Sequence, residues 1–317
     1  MHVSALDAEE IFPTHGPVDE ERQIGRTDTI VRLAERLREH DDALLLEPRR
    51  VGKTSVVHAA LARARSETHA VTAHVDLTAA DVVDGSSLAS GLLAALHDET
   101  ELLMPVLRTR DALGRSREGA RRLRNIGRAA RSAGVAEAEP ITELLGLIDV
   151  PRPSLEAVLE KLIRVSRDRP VTVFLDEIQE LRRWEDAAAV QETLARFMRQ
   201  HGRGVSMVVA GSDQTATADI FAPGSPLHWD FEPLPLPPID DVSWHEGLAK
   251  RFATAGHAIE SRQICQILGV SEGHPLRTMR VAKEALREAR AASSESITWG
   301  AVDAAIVTAR AHPSWRS

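Results

Sequence analysis

The stretch Leu44-Leu-Leu-Glu-Pro-Arg-Arg-Val-Gly-Lys-Thr-Ser55 decides the fold class. With Ala43 it opens on a short apolar run, Ala43–Leu46, which reads as a buried strand. It closes on the start of Gly52–Arg65, a breaker-free stretch that reads as a helix. Strand, loop and helix are therefore predicted in succession. The loop carries the second half of the phosphate-binding pattern G-x-x-x-x-G-K-[ST]: Gly52, Lys53 and Thr54 match, and Glu47 stands at the place of the first glycine.

The chemistry explains the matching half. Backbone N–H groups at a helix N-terminus point at a bound phosphate, and the helix dipole favours its charge. Gly52 lets the backbone come close, Lys53 is expected to reach the β and γ phosphates, and the Thr54 hydroxyl is expected on Mg2+. If the position of Glu47 required a positive φ, a side chain there would cost about 1 kcal/mol. Its carboxylate would also have to turn away from the phosphates. A GKT tripeptide alone also reads as an ordinary helix start.

Further along, Val171-Thr-Val-Phe-Leu-Asp-Glu177 is rich in β-branched residues and suits a parallel strand covered on both faces. It ends in two carboxylates, and open α/β sheets bind ligands at the carboxyl ends of their strands. Asp176 is expected to hold Mg2+, directly or through water, and Glu177 to polarise an attacking water as general base. The bland alternative is a solvated strand end. Val205–Ala210 reads as another buried strand, followed by Gly211-Ser212-Asp213. Ser212 is placed to sense the terminal phosphate, although Gly-Ser-Asp is also good turn chemistry.

The remaining segments fit this frame. Asp28–His40 repeats its apolar residues at helical spacing, with Thr27 or Asp28 as cap. Ala70–Val75 reads as a strand, Ser86–Leu96 and Ala187–Gln200 as helices, and His228–Glu232 as a last strand. A helical tract from Leu102 to Ser166 is interrupted at Gly114, Gly134, Pro140, Pro151 and Pro153. Strands alternating with helices predict an α/β doubly wound parallel sheet. Leu234-Pro-Leu-Pro-Pro238 then forms a stiff connector, and Asp240–Ala311 shows only helical patterns.

Composition bounds the function. Of 317 residues, 43% are hydrophobic and 27% charged, as in an ordinary globular protein. The net charge of -8 argues against a surface that attracts nucleic acid as a whole. Aromatics make up only 3%, so Ala, Leu, Val and Ile must build the core, with Trp184, Trp229, Trp244 and Trp299 expected as packing anchors. Cys265 is the only cysteine, so no intrachain disulfide forms; it lies in an apolar helical pattern and is expected in the core. Met1–Glu10 is acidic and does not read as a secretory signal, and no stretch approaches the ~20 apolar residues of a membrane span. The default expectation is a cytoplasmic protein with no membrane contact.

Taken together, these motifs resemble those of the archaeal-type ATPases, a branch of the STAND and AAA+ P-loop NTPases. Ile24-Gly-Arg-Thr27 is similar to the family's V-G-R-E box, and Pro48-Arg-Arg-Val-Gly-Lys-Thr-Ser55 to its P-R-R-x-G-K-T-S loop. Leu175-Asp-Glu-Ile-Gln179 is similar to its Walker B strand end, Ala210-Gly-Ser212 to its sensor strand end, and Gly273-His-Pro-Leu276 to a box in its helical lid. The resemblance implies a P-loop core of strand order 5-1-4-3-2 followed by a small all-helical lid, with ATP and Mg2+ between them. It implies an extension at 1–22, a core at 23–233 with a helical insertion at about 99–166, and a lid at 239–317.

It further implies that Pro48, Arg49, Arg50, Val51, Gly52, Lys53, Thr54 and Ser55 wrap the phosphates. Ile24, Gly25, Arg26 and Pro275 would approach the adenine, and Arg277 would be a second sensor, with a plain surface arginine as the alternative. Lys53, Glu177 and Ser212 would be catalytic, and Thr54 and Asp176 would hold the metal. Two departures matter. Glu47 replaces a glycine, and Asp230 stands where relatives often carry an arginine finger, whose loss costs about 10³–10⁵ in rate.

Three functions remain in view. One is an ATPase whose hydrolysis resets a conformational switch. Another is a regulatory or scaffold protein that binds nucleotide with little turnover and joins a partner protein or a homo-oligomer. The third is a DNA-associated AAA+ protein, supported only by nine arginines between Arg108 and Arg131. That stretch has no aromatic residue on which bases stack, and a solvated helix, or a face that pairs with this acidic chain, is the preferred reading.

Overall fold

The computed structural model describes residues 6–99, 153–200, 204–228 and 233–315. The helical insertion beyond 99, the Arg108–Arg131 stretch, Trp229 and Asp230 therefore lie outside the described residues, as does most of the expected strand at 228–232. The chain divides into two compact units. One comprises Arg32–Glu47 and Ala60–Leu234; the other comprises Met1–Val31, Pro48–Ala59 and Pro235–Ser317.

The first unit is built on four parallel strands: β1 (Ala43–Leu46), β2 (Val71–Asp76), β3 (Val171–Asp176) and β4 (Val205–Gly211), in the order β1-β4-β3-β2. Among the described residues this is the 1-4-3-2 part of the expected order 5-1-4-3-2. Beside β1, a parallel bridge joins Pro233 to Leu44, and the Leu234 N–H donates to the Leu44 carbonyl at 2.9 Å.

β3 and β4 are buried along their whole length. Val171, Val173 and Leu175 alternate with Thr172 and Phe174, and both sets are shielded, as a sheet covered on two faces requires. The first set shares a core with Leu88, Leu92 and Leu96 of α4 (Gly85–Glu99), Val158, Leu159 and Leu162 of α5 (Leu155–Val165) and Val190 and Leu194 of α6 (Ala187–Gln200). Gly91 admits α4 against β2, since a Cβ there would come within 3.3 Å of Val75. The Ser154 hydroxyl caps α5 by accepting from the Ala157 N–H at 3.2 Å.

α2 (Thr27–Arg38) starts one residue before the periodicity predicts. The Ile30 N–H donates to the Arg26 carbonyl at 3.0 Å, so the cap position falls on Arg26 rather than on Thr27 or Asp28. α3 (Lys53–Thr68) follows the motif loop. A short α7 (Gln214–Ile220) follows β4. The proline connector after Leu234 has neither helix nor strand.

The second unit gathers α8 (Asp241–Thr254), α9 (Ser261–Ser271), α10 (Pro275–Ala291) and α11 (Trp299–Ala311) around Trp244, Phe252, Ile267, Val281 and Leu286. It also contains an element that periodicity misses, the single turn α1 (Ala8–Ile11). Ala8, Ile11 and Phe12 are buried, and Phe12 meets the Phe252 ring at 4.7 Å between centroids. The Arg251 guanidinium donates to the carbonyls of Ile11 and Arg22.

Two expectations fail here. Cys265 is exposed, because α9 turns Ile264, Ile267 and Leu268 inward and the next position along the helix turns out. Trp299 is 45% exposed at the first position of α11, just after its Thr298 cap, whereas Trp184 and Trp244 are buried as expected. No described helix is long and apolar enough to cross a membrane.

Glu9 ties the first residues to α10. Its carboxylate accepts from Lys283 Nζ at 2.7 Å, from the Thr14 N–H at 2.6 Å and from the Thr14 hydroxyl at 2.9 Å. Burial alone would raise its pKa. The bonds to Lys283, Thr14 and His15 outweigh that and lower it from 4.5 to about 2. A depressed carboxylate contributes stability that is present above its unfolded pKa and lost as pH falls through its folded one. We expect Glu9→Gln to lower Tm at pH 7 by a few °C, with the gap to the native chain closing between pH 4.5 and about 2. Thermal melts across that range test this.

Candidate functional site

The motif loop runs from Glu47 to Gly52, between the end of β1 and the start of α3. Glu47 continues the ladder, its N–H donating to the Gly211 carbonyl at 3.3 Å, and it is not among the residues with positive φ. The cost anticipated for a side chain there does not arise. Positive φ falls instead on Arg50 (66°) and Gly52 (93°). At Gly52 the need is twofold, because a Cβ would also come within 3.0 Å of Arg26 Nη1.

Lys53 opens α3 and is only 4% exposed. Its ammonium turns back over the loop and donates to the Pro48 carbonyl at 2.9 Å. The first turn of α3 has no acidic residue, so the positive end of its dipole is not neutralised from within. Pro48, Arg49 and Arg50 are exposed; Val51, Thr54 and Ser55 are half-buried. Ser55 is committed elsewhere: its hydroxyl accepts from the Val18 N–H at 3.2 Å, and its carbonyl accepts from Gln23 Nε2 at 2.6 Å.

Ile24, Gly25 and Arg26 lie beside the same loop. Gly25 and Arg26 both have positive φ, at 66° and 65°. A Cβ on Gly25 would come within 3.0 Å of Ile239. Ile24 is buried against Gly247 of α8, where any side chain would collide with it at 2.6 Å. Arg26 donates to the Val51 carbonyl in the loop and, through Nε, to the Pro237 carbonyl at 3.1 Å. Pro275 takes the first position of α10, where its missing N–H costs nothing. Burial, with Arg277 alongside, holds the neighbouring His274 below the usual histidine range, against a bond to the Arg49 backbone. Arg277 donates to the Trp315 carbonyl at 3.0 Å, covers the Trp315 ring at 5.6 Å and pairs with Glu272 at 3.3 Å. Arg50 reaches the same terminal segment, donating to the Ser314 carbonyl at 3.1 Å.

On the sheet, Asp176 is the last residue of β3 and is 5% exposed. It accepts from the Glu177 N–H at 3.0 Å. Glu177 is left-handed (φ 57°, ψ 47°) and turns the chain into a 3-10 segment, Ile178–Arg183. Its carboxylate accepts from the Ser212 hydroxyl and, at 2.5 Å, from Gln179 Nε2. Thr217 in turn donates to Gln179 Oε1 at 3.4 Å. Glu177 and Ser212, 35 residues apart, thus meet at the carboxyl ends of adjacent strands.

The sequence reading assigned no role to Gln179 or Thr217. Gln179 lies inside the Leu175–Gln179 motif, whereas Thr217 had no signal. Gly211 lets them close, because a Cβ there would lie 2.2 Å from the Thr217 hydroxyl. Asp213 caps α7, accepting from the Ala216 N–H at 2.9 Å. Among the described residues no group of three or more His, Cys, Asp or Glu side chains is arranged to hold a metal by itself. The geometry is that of a loop suited to bind an anion, and of a carboxylate pair at a strand end with one member held by two donors.

No family model matches the chain. No curated protein matches it either. Solved structures do. The Walker-type ATPase PABY2304 of Pyrococcus abyssi superposes with a TM-score of 0.67 at 17% identity, over 94% of this chain and 75% of that one. The ORC2 protein of Aeropyrum pernix, in ADPNP–ADP complexes, gives 0.63 at 16% identity over 96% and 72%. The RuvB Holliday junction branch migration motor of Thermotoga maritima gives 0.53 at 15% identity over 94% and 72%. At these identities the likeness is one of fold: the chain has the fold of the P-loop NTPases of the AAA+ class.

Proposed function

We propose that the chain binds ATP with Mg2+ and hydrolyses it, acting as a nucleotide-dependent conformational switch. The observation that carries this reading is Lys53: a lysine ammonium at the first position of α3, kept 4% exposed and folded over its own loop. Its ammonium lies over the loop that leads into α3, and a phosphate bound at that helix start would meet both the lysine charge and the helix N–H groups. In this reading Pro48, Arg49, Arg50, Val51, Gly52, Lys53, Thr54 and Ser55 form the phosphate loop. Ile24, Gly25, Arg26 and Pro275 border the base, and Arg277 is a second sensor.

Thr54 and Asp176 would complete the shell of Mg2+, which takes few protein ligands when phosphates supply the rest. Glu177 would orient water and Ser212 would report the terminal phosphate. The proposed organisation is a core at 23–233 and a helical lid at 239–317, in a cytoplasmic protein that works with a partner or with copies of itself.

Ser212 and Gln179 both donate to one oxygen of the Glu177 carboxylate, Oε2, which fixes the group and leaves Oε1 to accept a proton from water. The competing reading is a binding switch with little hydrolysis.

We expect Lys53→Ala to abolish the rise in Tm that ATP and Mg2+ give the native chain; an undiminished rise would remove the phosphate loop from the site. Glu177→Gln should keep ATP binding and reduce phosphate release by at least about 10²-fold. Release from the native chain no faster than from Glu177→Gln would leave only the binding switch, and mass measured with and without ATP would then report its assembly.

A further inference from the structure

The second unit holds a cavity of about 410 Å3 between the start of α8 and the end of α9. The connector gives Pro238 and Ile239 to its wall, and α9 gives Leu268. None of the residues given to the nucleotide lines it. A space of this size and mixed polarity holds a small organic molecule.

Two groups that can do chemistry together meet on the same wall. Cys265 of α9 is exposed, and its Sγ lies 3.6 Å from Nε2 of His245 on α8, within reach of a hydrogen bond to sulfur. The thiolate is the nucleophilic form of cysteine, and an imidazole in contact is the base that produces it. With its ring proton on Nδ1, His245 accepts from the thiol through Nε2. Among the described residues the pair belongs to no group of three His, Cys, Asp or Glu that could hold a metal, so it reads as a nucleophile with its base.

The helix also leaves room beside the sulfur. Gly269 stands four residues after Cys265, on the same face of α9, and lines the cavity. Nothing lies within 4 Å of where its Cβ would be. Glycine inside a helix is costly relative to alanine, and here it keeps the approach to the thiol open. The charged side chains on the wall are Asp241 and Glu272, with neither Lys nor Arg beside them. Arg277 pairs with Glu272 at 3.3 Å, so Asp241 carries most of the charge that an entering molecule meets.

We propose that Cys265, with His245 as its base, is a modification site that forms a mixed disulfide with a small cationic disulfide seated in this cavity. The Cys265 proton passes to His245 Nε2, and Sγ attacks one sulfur of the entering disulfide. A new S–S bond to Cys265 forms as the old one breaks. The Cys265 sulfur is oxidised, the departing sulfur is reduced, and the latter leaves as a free thiol with the proton from His245. Asp241 holds the cationic end.

The test treats the full chain at pH 7.5 with cystamine, a dication, and in parallel with neutral 2-hydroxyethyl disulfide and anionic glutathione disulfide. N-acetylcysteine amide serves as the reference thiol. Cys265 is the only cysteine, so intact mass follows a single adduct. We expect cystamine to modify the native chain about fivefold faster than the reference, a modest factor because a free thiol is already about one-tenth thiolate at that pH. Scaled to the reference, cystamine should outpace the neutral disulfide about threefold and glutathione disulfide by more, and Asp241→Asn should erase its lead over the neutral one.

His245→Gln should fall to within about twofold of the reference rate. Gly269→Leu fills open space on a helix, so it should slow the reaction about threefold without lowering Tm. A native rate no higher than the reference overturns the proposal, as does an undiminished rate in His245→Gln. Glutathione disulfide reacting as fast as cystamine overturns the cationic class. If His245→Gln does not fold, Gly269→Leu decides, and an undiminished rate there sinks the proposal.

Discussion

The register of β3 against β4 rests on a buried hydroxyl pair. Thr172 and Ser206 are partners across the two strands, both are buried, and their hydroxyls meet at 2.9 Å. Both faces of these strands are covered, so the usual in-and-out alternation of apolar and polar residues carries little register information here. A slip of one residue would move each partner by about 3.3 Å and leave two hydroxyls unsatisfied, at about 1–3 kcal/mol each. The stacked His74 and Phe174 rings, 4.4 Å apart and also in register, do the same for β2 against β3. The same slip would separate Glu177 from Ser212, whose bond spans the ends of β3 and β4. A polar pair in the middle of the sheet therefore sets the geometry of the carboxylate at its edge.

The motif loop depends on residues far outside its own pattern. Three of its anchors come from the segment before α2: Arg26 on the Val51 carbonyl, Gln23 on the Ser55 carbonyl and Val18 on the Ser55 hydroxyl. Arg26 reaches the loop because Gly25 and Arg26 are both left-handed, and Gly25 fits there because Ile239 leaves no room for a Cβ. The strain of the loop sits at Arg50, a non-glycine at φ 66°, which costs about 1 kcal/mol. The bond from Arg50 to the Ser314 carbonyl offsets part of that. Glu47, the departure from the pattern, is an ordinary strand-end residue.

Most of the sheet was legible in the sequence because β3 and β4 are long apolar runs ending in polar residues, and chain order alone brought β1 to its loop. The Leu175–Gln179 motif announced the acid pair. What escaped was short or distant. α1 is one turn, too brief for a 3.6-residue period to register, yet Phe12 is fully buried because Phe252 and Arg251 receive it from α8. Thr217 closes on Gln179 only because Gly211 permits it, a fact of packing that spacing does not encode. The exposure of Cys265 was readable in principle. Gln263, Ile264, Ile267, Leu268 and Ser271 form the inward stripe of α9, and Cys265 falls off it by one position.

Buried charges fare in three ways within the second unit. Lys283 uses a carboxylate, Glu9, and gains a second contact from Thr14. Arg251 uses neutral carbonyls, those of Ile11 and Arg22, and so ties the first residues to α8 without any counter-charge; burial, with Arg22 alongside, lowers its pKa to about 10. Arg280 has neither for its Nε. An arginine with carbonyl partners is a structural bolt, since its fork satisfies backbone groups that would otherwise be orphaned. One buried without them adds desolvation cost and secures no backbone group in return. The contrast between Arg251 and Arg280, inside one fold unit, separates an arginine that secures backbone carbonyls from one whose Nε has no hydrogen-bond partner among the described residues.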